Sequence, residues 1–342
     1  MSELNRQWRL IARPVGLPKP TDFELVSVPI ERPGPDEVLV KIVYVSLAPG
    51  LRVYMSAAKG LEDKYAAKTG APIRAWAIGR VVESRSDRFP VGTYVRDRPG
   101  NAGIQDYSVL PATTLEVCDP SVVALPAYLG VLGTQGLTAH IGMLHIGSLK
   151  AHETVVVSGA AGGVGSIAGQ IGKIKNARVI GIAGGSDKCR YVTNELGFDA
   201  CLDYKAGDLD AALTDMCPQG IDLFFDNVGG ETLDTCLSHM AINGRIAICG
   251  ATAAYNSAAP LPLKNHIQIL NRQLRVQGFS YYANADKFDE AKTDLQAWVR
   301  SGRLKHFEDV VVGLENFYPT FMKLFSGQTV GKLVLQISDE VA

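Results

Sequence analysis

A cluster of glycines between an apolar strand and a helix constrains this chain more than any other feature. The segment VVVSGAAGGVGSIAGQIGK carries glycines at 159, 162, 163 and 165. Glycine permits a tight turn and lets the backbone approach a pyrophosphate, while the N-terminus of the helix supplies N–H groups and positive potential. A second strand, ARVIGIAG, follows the helix. The segment therefore predicts a dinucleotide-binding βαβ unit, and a glycine turn needed only for packing is the alternative.

The strand–helix alternation continues through the middle of the chain, where β-type segments alternate with helical ones from about residue 127 to 303. Such alternation is typical of a parallel sheet with helices on both faces. We therefore expect an α/β fold with a Rossmann-type, doubly wound parallel sheet. Its six predicted strands are Thr154–Gly159, Ala177–Gly184, Ala200–Tyr204, Ile221–Val228, Gly244–Gly250 and Arg275–Ser280.

The flanking segments have a different pattern. From residue 38 to 110, short β-type runs are separated by stretches rich in Gly, Pro and Asp, which predicts a small all-β unit, barrel-like or partly open. The tail beyond Val310 ends in a strand-like GKLVLQIS and resembles a return to that unit. We expect a discontinuous catalytic domain of residues 1–126 and 304–342 around a nucleotide-binding domain of residues 127–303.

Charge and composition exclude several classes of partner. The 34 Lys and Arg residues balance 35 Asp and Glu residues, so the chain offers no basic field for nucleic acid. No apolar segment has the length and purity of a signal peptide or a membrane span. Six scattered cysteines without metal-binding or redox spacing predict free thiols and a cytoplasmic location.

The end of the second predicted strand indicates which nucleotide binds. NAD-specific folds usually have an acidic residue there, which holds the ribose 2′-hydroxyl. This chain has Gly184, Gly185, Ser186, Asp187 and Lys188. Small residues followed by a hydroxyl and an ammonium group suit the 2′-phosphate of NADP, although a carboxylate turned towards the ribose would repel it. We predict NADP with Lys188 carrying the preference; a solvated surface lysine is the alternative.

The inventory of possible metal ligands argues against zinc. Zinc-dependent dehydrogenases bind the metal through thiolate and imidazole groups of the first domain. Residues 1–117 contain neither cysteine nor histidine, and the six histidines show no ligand spacing. We expect no metal, and hydride transfer assisted by hydrogen-bond donors alone.

Several motifs, in order, resemble the zinc-free branch of the medium-chain dehydrogenase/reductase superfamily that contains leukotriene/prostaglandin reductases, alkenal double-bond reductases and bacterial curcumin reductase. They include GLTAH (136–140), AAGGVGS (160–166), GSDKCRYVTNELGFD (185–199), DYK (203–205), FDNVGGE (225–231), CGATAAYN (249–256) and GKLV (331–334). The resemblance implies a GroES-like β-barrel catalytic domain beside the Rossmann domain. It also implies a homodimer.

The resemblance further implies a set of cofactor-binding residues. The glycines after the first strand would contact the pyrophosphate, Ser186 and Lys188 the 2′-phosphate, and Tyr204 the adenine ribose. The full set is Gly162, Gly163, Val164, Gly165, Ser186, Lys188, Tyr204, Asn227, Cys249, Gly250, Ala251, Thr252, Tyr255, Phe279, Ser280, Tyr281 and Thr329.

Members of this branch use NADPH to deliver hydride to the β-carbon of an α,β-unsaturated aldehyde or ketone. The resemblance implies that Tyr255 donates a hydrogen bond to the carbonyl oxygen where negative charge gathers. In the alternative, Tyr255 is a wall of the cleft and solvent protonates the α-carbon. Two other functions stay open: a zinc-independent carbonyl, alcohol or quinone oxidoreductase using NADP, and a cofactor-binding protein without turnover.

The chain departs from the family pattern where the substrate is expected. The family's D-P-Y-M-R appears here as Ala48 to Arg52, and its G-M-P-G as Gly133 to Gly136. Thr329 stands where an asparagine often precedes the terminal G-K. The expected pocket for a small carbonyl substrate consists of Arg52, Tyr54, Tyr281 and Tyr282.

Overall fold

A computed structural model describes residues 4–56, 66–257 and 259–340 of the protein. The chain divides into two compact units. The discontinuous unit contains Met1–Leu129 and Glu308–Ala342, and the central unit contains Gly130–Phe307. The two boundaries lie three and four residues beyond those expected from the sequence, at 129 instead of 126 and at 307 instead of 303.

The strands and helices of the described residues are numbered here in chain order. The strands are β1 Leu4–Leu10, β2 Phe23–Pro29, β3 Glu37–Ser46, β4 Ala77–Ser84, β5 Tyr94–Asp97, β6 Tyr107–Pro111, β7 Leu115–Val117, β8 Thr154–Ser158, β9 Arg178–Ala183, β10 Ala200–Asp203, β11 Ile221–Asp226, β12 Met240–Ile248, β13 Arg275–Gly278, β14 Glu308–Val312 and β15 Lys332–Gln336. The α-helices are α1 Gly50–Tyr54, α2 Thr134–His140, α3 Gly163–Ile174, α4 Ser186–Arg190, α5 Leu209–Met216, α6 Gly230–His239, α7 Ile267–Asn271, α8 Phe288–Arg300 and α9 Phe317–Lys323. Two π-helical segments, Ile141–Ile146 and Tyr191–Glu195, extend α2 and α4.

The discontinuous unit is built on β3, a ten-residue strand that is almost wholly buried. One side of β3 pairs with β4, and its other side pairs with β6 and then with β15. The strand order β14-β15-β3-β4-β5-β7, with β6 on β3, makes a seven-stranded sheet. The C-terminal strand therefore completes a sheet that begins near the N-terminus, while β1 and β2 form a separate antiparallel pair.

The central unit contains a six-stranded parallel sheet in the order β10-β9-β8-β11-β12-β13. This confirms the predicted fold class and all six predicted strands. The middle strands β8 and β11 are largely apolar and mostly buried because helices cover both faces of such a sheet. Within this sheet the chain runs from β8 outward through β9 to β10. The next strand, β11, lies on the other side of β8. The order of the strands thus reverses between β8 and β11, the position at which doubly wound sheets bind nucleotides.

Every helix in the described ranges is too short or too polar to traverse a lipid bilayer.

Candidate functional site

The loops at the carboxyl edge of the central sheet carry almost all the predicted cofactor residues. The glycine turn follows β8, the segment with Ser186 and Lys188 follows β9, and Tyr204 follows β10. Asn227 follows β11, Cys249 to Tyr255 follow β12, and Phe279 to Tyr281 follow β13. Because all six strands are parallel, these loops emerge at one edge of the sheet. The structure therefore brings these residues to one edge in strand order.

The glycine turn disfavours side chains at two of its positions, at one through backbone conformation and at the other through lack of space. Gly159 adopts a φ of +61°, in the left-handed region that favours glycine. A Cβ on Gly165 would overlap the backbone carbonyl of Gly159. Helix α3 begins at Gly163 without a side-chain cap. Since the first N–H groups of a helix have no partners within it, this end of α3 is suited to an anionic group.

Gln135, at the start of α2, covers one side of this turn. A Cβ on Gly163 would overlap the carboxamide of Gln135. Gln135 stands in the family's G-M-P-G segment, so this chain puts a polar group against the glycine turn at a position where the pattern has proline.

The buried carboxylate of Asp226, at the end of β11, organises the neighbouring loop. Its Oδ1 accepts hydrogen bonds from Ser158 Oγ at 2.7 Å and from the backbone N–H groups of Val228 and Gly229 at 2.9 and 3.0 Å. Ser158 Oγ in turn accepts the N–H of Asn227 at 2.8 Å. Burial raises the pKa of Asp226, and the hydrogen bonds from Gly229, Ser158 and Val228 oppose that rise.

The side chain of Asn227 is held at the switch point between β8 and β11. Its Nδ2 donates to the carbonyl of Ser158 at 2.7 Å. Asn227 is half-buried, and the carbonyl of Asn227 accepts the N–H of Thr252 at 3.3 Å. The loops after β8, β11 and β12 are therefore joined through one residue.

Tyr255 lies in the loop that follows β12. Its hydroxyl accepts the backbone N–H of Ala251 at 3.3 Å. Its side chain is half-buried, and a Cβ on Gly250 would lie 3.2 Å from the hydroxyl oxygen. The hydroxyl is therefore positioned by its own loop, close to the end of β12.

Two lysines lie together where the 2′-phosphate is expected. Burial lowers the pKa of Lys188, and the nearby charge of Lys205 lowers it further. The ring of Tyr204 lies against Gly184, where a Cβ would be only 2.8 Å from the ring. Helix α4 begins after Gly185, whose φ is +103° and whose N–H donates to Asp203 at 2.8 Å. The segment is thus shaped by contacts between the ends of β9 and β10.

The carboxylate of Asp187 was the feature of the sequence that did not fit a 2′-phosphate at this position. It accepts a hydrogen bond from Arg190. Its side chain is 88% exposed. The carboxylate therefore forms an ion pair at the surface of α4.

Aromatic side chains follow β13. Phe279 packs edge-on against Phe225 with 6.2 Å between ring centroids, and the N–H of Phe279 donates to the carbonyl of Ile248. The rings of Tyr281 and Tyr282 lie 3.9 Å apart, and Phe288 stacks on Tyr281. The carbonyl of Ser280 accepts Asn284 Nδ2 at 2.9 Å.

The remaining predicted site residues belong to the discontinuous unit. Arg52 is buried, and its guanidinium donates to the carbonyls of Pro14 and Gly16 at 3.0 Å and to Ser56 Oγ at 2.6 Å. These contacts give Arg52 a structural role, and its contact with a substrate stays a prediction. The ring of Tyr54 lies 6.0 Å from that of Trp76, and Thr329 is half-buried just before β15.

Comparison with known proteins assigns the chain to a family. Residues 6–118 match a family model described as the N-terminal domain of oxidoreductase, and residues 163–297 match one described as zinc-binding dehydrogenase. The chain is 36% identical over 344 residues to the NADPH-dependent curcumin reductase of Escherichia coli, with 98% of both chains covered. It is 37% identical over 337 residues to prostaglandin reductase 1 of Bos taurus, covering 97% of this chain and 98% of that protein. The chain belongs to the medium-chain dehydrogenase/reductase superfamily.

A solved structure of CurA from Vibrio vulnificus, in complex with NADPH, superimposes on the chain with a TM-score of 0.90. The two are 36% identical, and the match covers 98% of this chain and 99% of CurA. Together with the relatives above, this places the chain among the zinc-independent, NADP-dependent oxidoreductases of the superfamily.

The description of the second family model refers to zinc, but residues 163–297 cover the nucleotide-binding part of this medium-chain reductase. Within the described residues, no group of three or more His, Cys, Asp or Glu side chains could hold a metal ion.

Three groups at the edge of the sheet were not identified from the sequence. Lys205 lies in the DYK motif, and its position directly after Tyr204 was the available signal. Ser158 precedes the glycine turn and Asp226 is the first residue of the DNVGG motif. Their hydrogen bond joins residues 68 positions apart, so it appears only in the folded structure.

We predict that Ser158→Ala destabilises the central unit. The substitution leaves the N–H of Asn227 and one acceptor site of the Asp226 carboxylate without their buried partner, which costs about 1–3 kcal/mol of the free energy of unfolding. Denaturant unfolding measures the loss. The exposed Ser301→Ala is the control and should change the free energy by about 0.5 kcal/mol or less. Equal stability of both variants would contradict the central role of the Ser158 to Asp226 bond.

Proposed function

We propose that this reductase uses NADPH to reduce the C=C bond of α,β-unsaturated aldehydes or ketones. The single observation that carries the proposal is the position of Tyr255 in the loop after β12. A hydrogen bond from Thr252 to Asn227 joins this loop to the one after β11, at the switch point of the sheet. Relatives named for the reduction of curcumin, prostaglandins and 2-alkenals support the same chemistry.

The cofactor-binding residues form a continuous path along the sheet edge in this proposal. Lys188 and Lys205 hold the 2′-phosphate, the N-terminus of α3 holds the pyrophosphate, and Asn227 lines the way to the loop after β12. When bound there, NADPH supplies a hydride. Binding at the switch point positions it, because the glycines let the dinucleotide approach the backbone closely.

Tyr255 stabilises the product of hydride addition. Addition at the β-carbon moves negative charge to the carbonyl oxygen, and a hydroxyl aimed at that oxygen lowers the energy of the transition state more than that of the bound substrate. The contact with Ala251 uses an acceptor site of the tyrosine oxygen, and donation to the enolate uses its proton. The backbone bond therefore orients the hydroxyl without competing for its proton.

Selection of NADP over NAD rests on the two lysines after β9 and β10. Neither β9 nor Gly184 and Gly185 carries an acidic group, and Asp203 is engaged by the N–H groups of Gly185 and Lys205. A 2′-phosphate would relieve the repulsion between the two ammonium groups, whereas a bare 2′-hydroxyl would not.

We expect the protein to oxidise NADPH with a conjugated enone and not with the corresponding saturated ketone. Tyr255→Phe should lower kcat by about a hundredfold or more, since it removes the donor for developing charge. Absorbance of NADPH at 340 nm and identification of the saturated ketone as product check both statements. Tyr191→Phe is the matched control. Equal or faster turnover of the saturated ketone would identify a carbonyl reductase instead.

We expect Lys188→Gln to weaken NADPH binding by about tenfold or more, because it removes a charge-assisted contact with the 2′-phosphate. NADH, which lacks that phosphate, should bind both proteins alike. Titration of each cofactor by fluorescence makes the comparison, with the exposed Lys150→Gln as control. If the affinities for both cofactors fall together, Lys188 does not select the phosphate.

We also propose a cytoplasmic homodimer. The terminal strand of the parallel sheet, β13, is exposed along its whole length, and the apolar side chains of Ile267, Leu270 and Val276 lie exposed on it or on α7 just before it. An exposed edge strand with apolar neighbours is a surface for pairing with a second copy. Sedimentation at micromolar concentration should give a dimer, and a monomer would refute the assembly.

The free state of all six cysteines suits a reducing compartment and supports the cytoplasmic location. Cell fractionation can test this location.

A further inference from the structure

Two thiols meet beside the segment assigned to the 2′-phosphate. Cys189 lies on α4 and Cys201 on β10, and the thiol of Cys201 donates to the sulfur of Cys189 at 2.8 Å. Both residues are half-buried, as is Cys249, whereas Cys118, Cys217 and Cys236 are buried. The two sulfur atoms are therefore close together, in residues that are partly exposed to solvent.

The surrounding structure determines which thiol can move. Cys201 is held by β10, where it pairs in register with Gly181 of β9. Cys189 lies in the first turn of α4, which begins after Gly185, a glycine with a φ of +103°, and continues into the π-helical segment Tyr191–Glu195. A disulfide bond is about 2.0 Å long, so closing the gap requires a shift of about 0.8 Å. The first turn of α4, next to Gly185, is the element that can supply this shift.

A shift of Cys189 would also displace Lys188, because the two residues are neighbours on α4. Lys188 precedes Cys189, and the N–H of Cys189 donates to the carbonyl of Gly185 at 3.1 Å. The N–H of Gly185 is bound in turn by Asp203, two residues after Cys201. The two thiols and the two lysines thus share one small network between the ends of β9 and β10.

We propose that Cys189 and Cys201 form a reversible thiol–disulfide site, and that its oxidation weakens binding of the cofactor through the 2′-phosphate. The disulfide itself is independent of the proposed function, whereas the effect on NADPH rests on it.

The reaction is a thiol–disulfide exchange with a low-molecular-weight disulfide. The thiolate of Cys189 attacks one sulfur of the reagent and releases one thiol. Cys201 then attacks the mixed disulfide and releases the second thiol. Two S–H bonds of the protein and the S–S bond of the reagent break, while one S–S bond forms between the protein sulfurs and two S–H bonds form on the released thiols. The reagent therefore takes up the two electrons and the two protons.

Cys189 is assigned the first attack because of its hydrogen bond. Burial raises the pKa of both thiols, and the charge of Asp203 raises both further, but the thiol of Cys201 lowers the pKa of Cys189 by donating to its sulfur. Since the thiolate is the nucleophile, the exchange is slower than at an exposed thiol and must be followed to completion.

The test treats the reduced, full-length protein with oxidised glutathione. We expect the intact mass to fall by two hydrogen atoms and peptide mapping to show a Cys189–Cys201 link. NADPH affinity should then fall by about tenfold, the loss of one charge-assisted hydrogen bond, while NADH affinity is unchanged. Dithiothreitol should restore NADPH binding.

Single variants give the controls. Cys189→Ser and Cys201→Ser cannot form the link, so both should keep their NADPH affinity after the same treatment. Cys118→Ser retains the pair and should respond like the wild type. A glutathione adduct without the internal link, or a link that leaves NADPH affinity unchanged, would overturn the proposal. If the reduced protein fails to prefer NADPH, the proposed selection of NADP by Lys188 and Lys205 is wrong, and the mass measurement still decides whether the thiol site exists.

Discussion

The buried carboxylate of Asp226 is the interaction on which the site depends. It lies at the end of β11 and binds Ser158 at the end of β8, so it joins the two strands between which the order of the sheet reverses. An isolated carboxylate in such a place would cost several kcal/mol, and it is tolerated because a hydroxyl and two backbone N–H groups donate to it. The backbone carbonyl of the same residue accepts the N–H groups of Cys249 and Gly250. One residue therefore orders the loops after three adjacent strands.

The sequence was sufficient to predict the middle of the parallel sheet because strands buried on both faces, such as β8 and β9, are apolar along most of their length. The outer strands β10 and β13 are more exposed, and their prediction rested on the alternation of strands with helices. The first and last residues of the strands were harder to predict. Strand β12 begins at Met240 instead of Gly244, because its pairing with β11 shifts register before Arg245. The N-terminal pair β1 and β2 was not predicted. Asn5 and Gln7 of β1 are buried and bonded to Gln105, so this strand lacks the apolar alternation by which strands are found.

The sequence predicted those parts of the site in which the role of a residue depends on its immediate neighbours in the chain. Glycines 159 and 165 are constrained by backbone conformation and close approach, which the sequence shows directly. The pair of Lys188 and Lys205 is different, because residues 17 positions apart meet only through the pairing of β9 with β10. The role of Asp187 was ambiguous, although Arg190, three residues along the same helix, was a partner that helical spacing could have suggested.

The order of the strands also separates affinity from chemistry in the proposed enzyme. Three strand spacings lie between β9, which precedes the lysine segment, and β12, which precedes Tyr255. At about 4.8 Å per spacing this is about 14 Å, longer than the screening length of about 8 Å at physiological ionic strength. A contact with the 2′-phosphate is equally strong before and during hydride transfer, so it sets how tightly the cofactor binds. The hydroxyl of Tyr255 meets charge that develops only in the transition state, so it sets the rate. A change at the end of β9 can therefore alter cofactor occupancy while the geometry around Tyr255 stays intact, and this separation makes α4 suited to control by the state of two thiols.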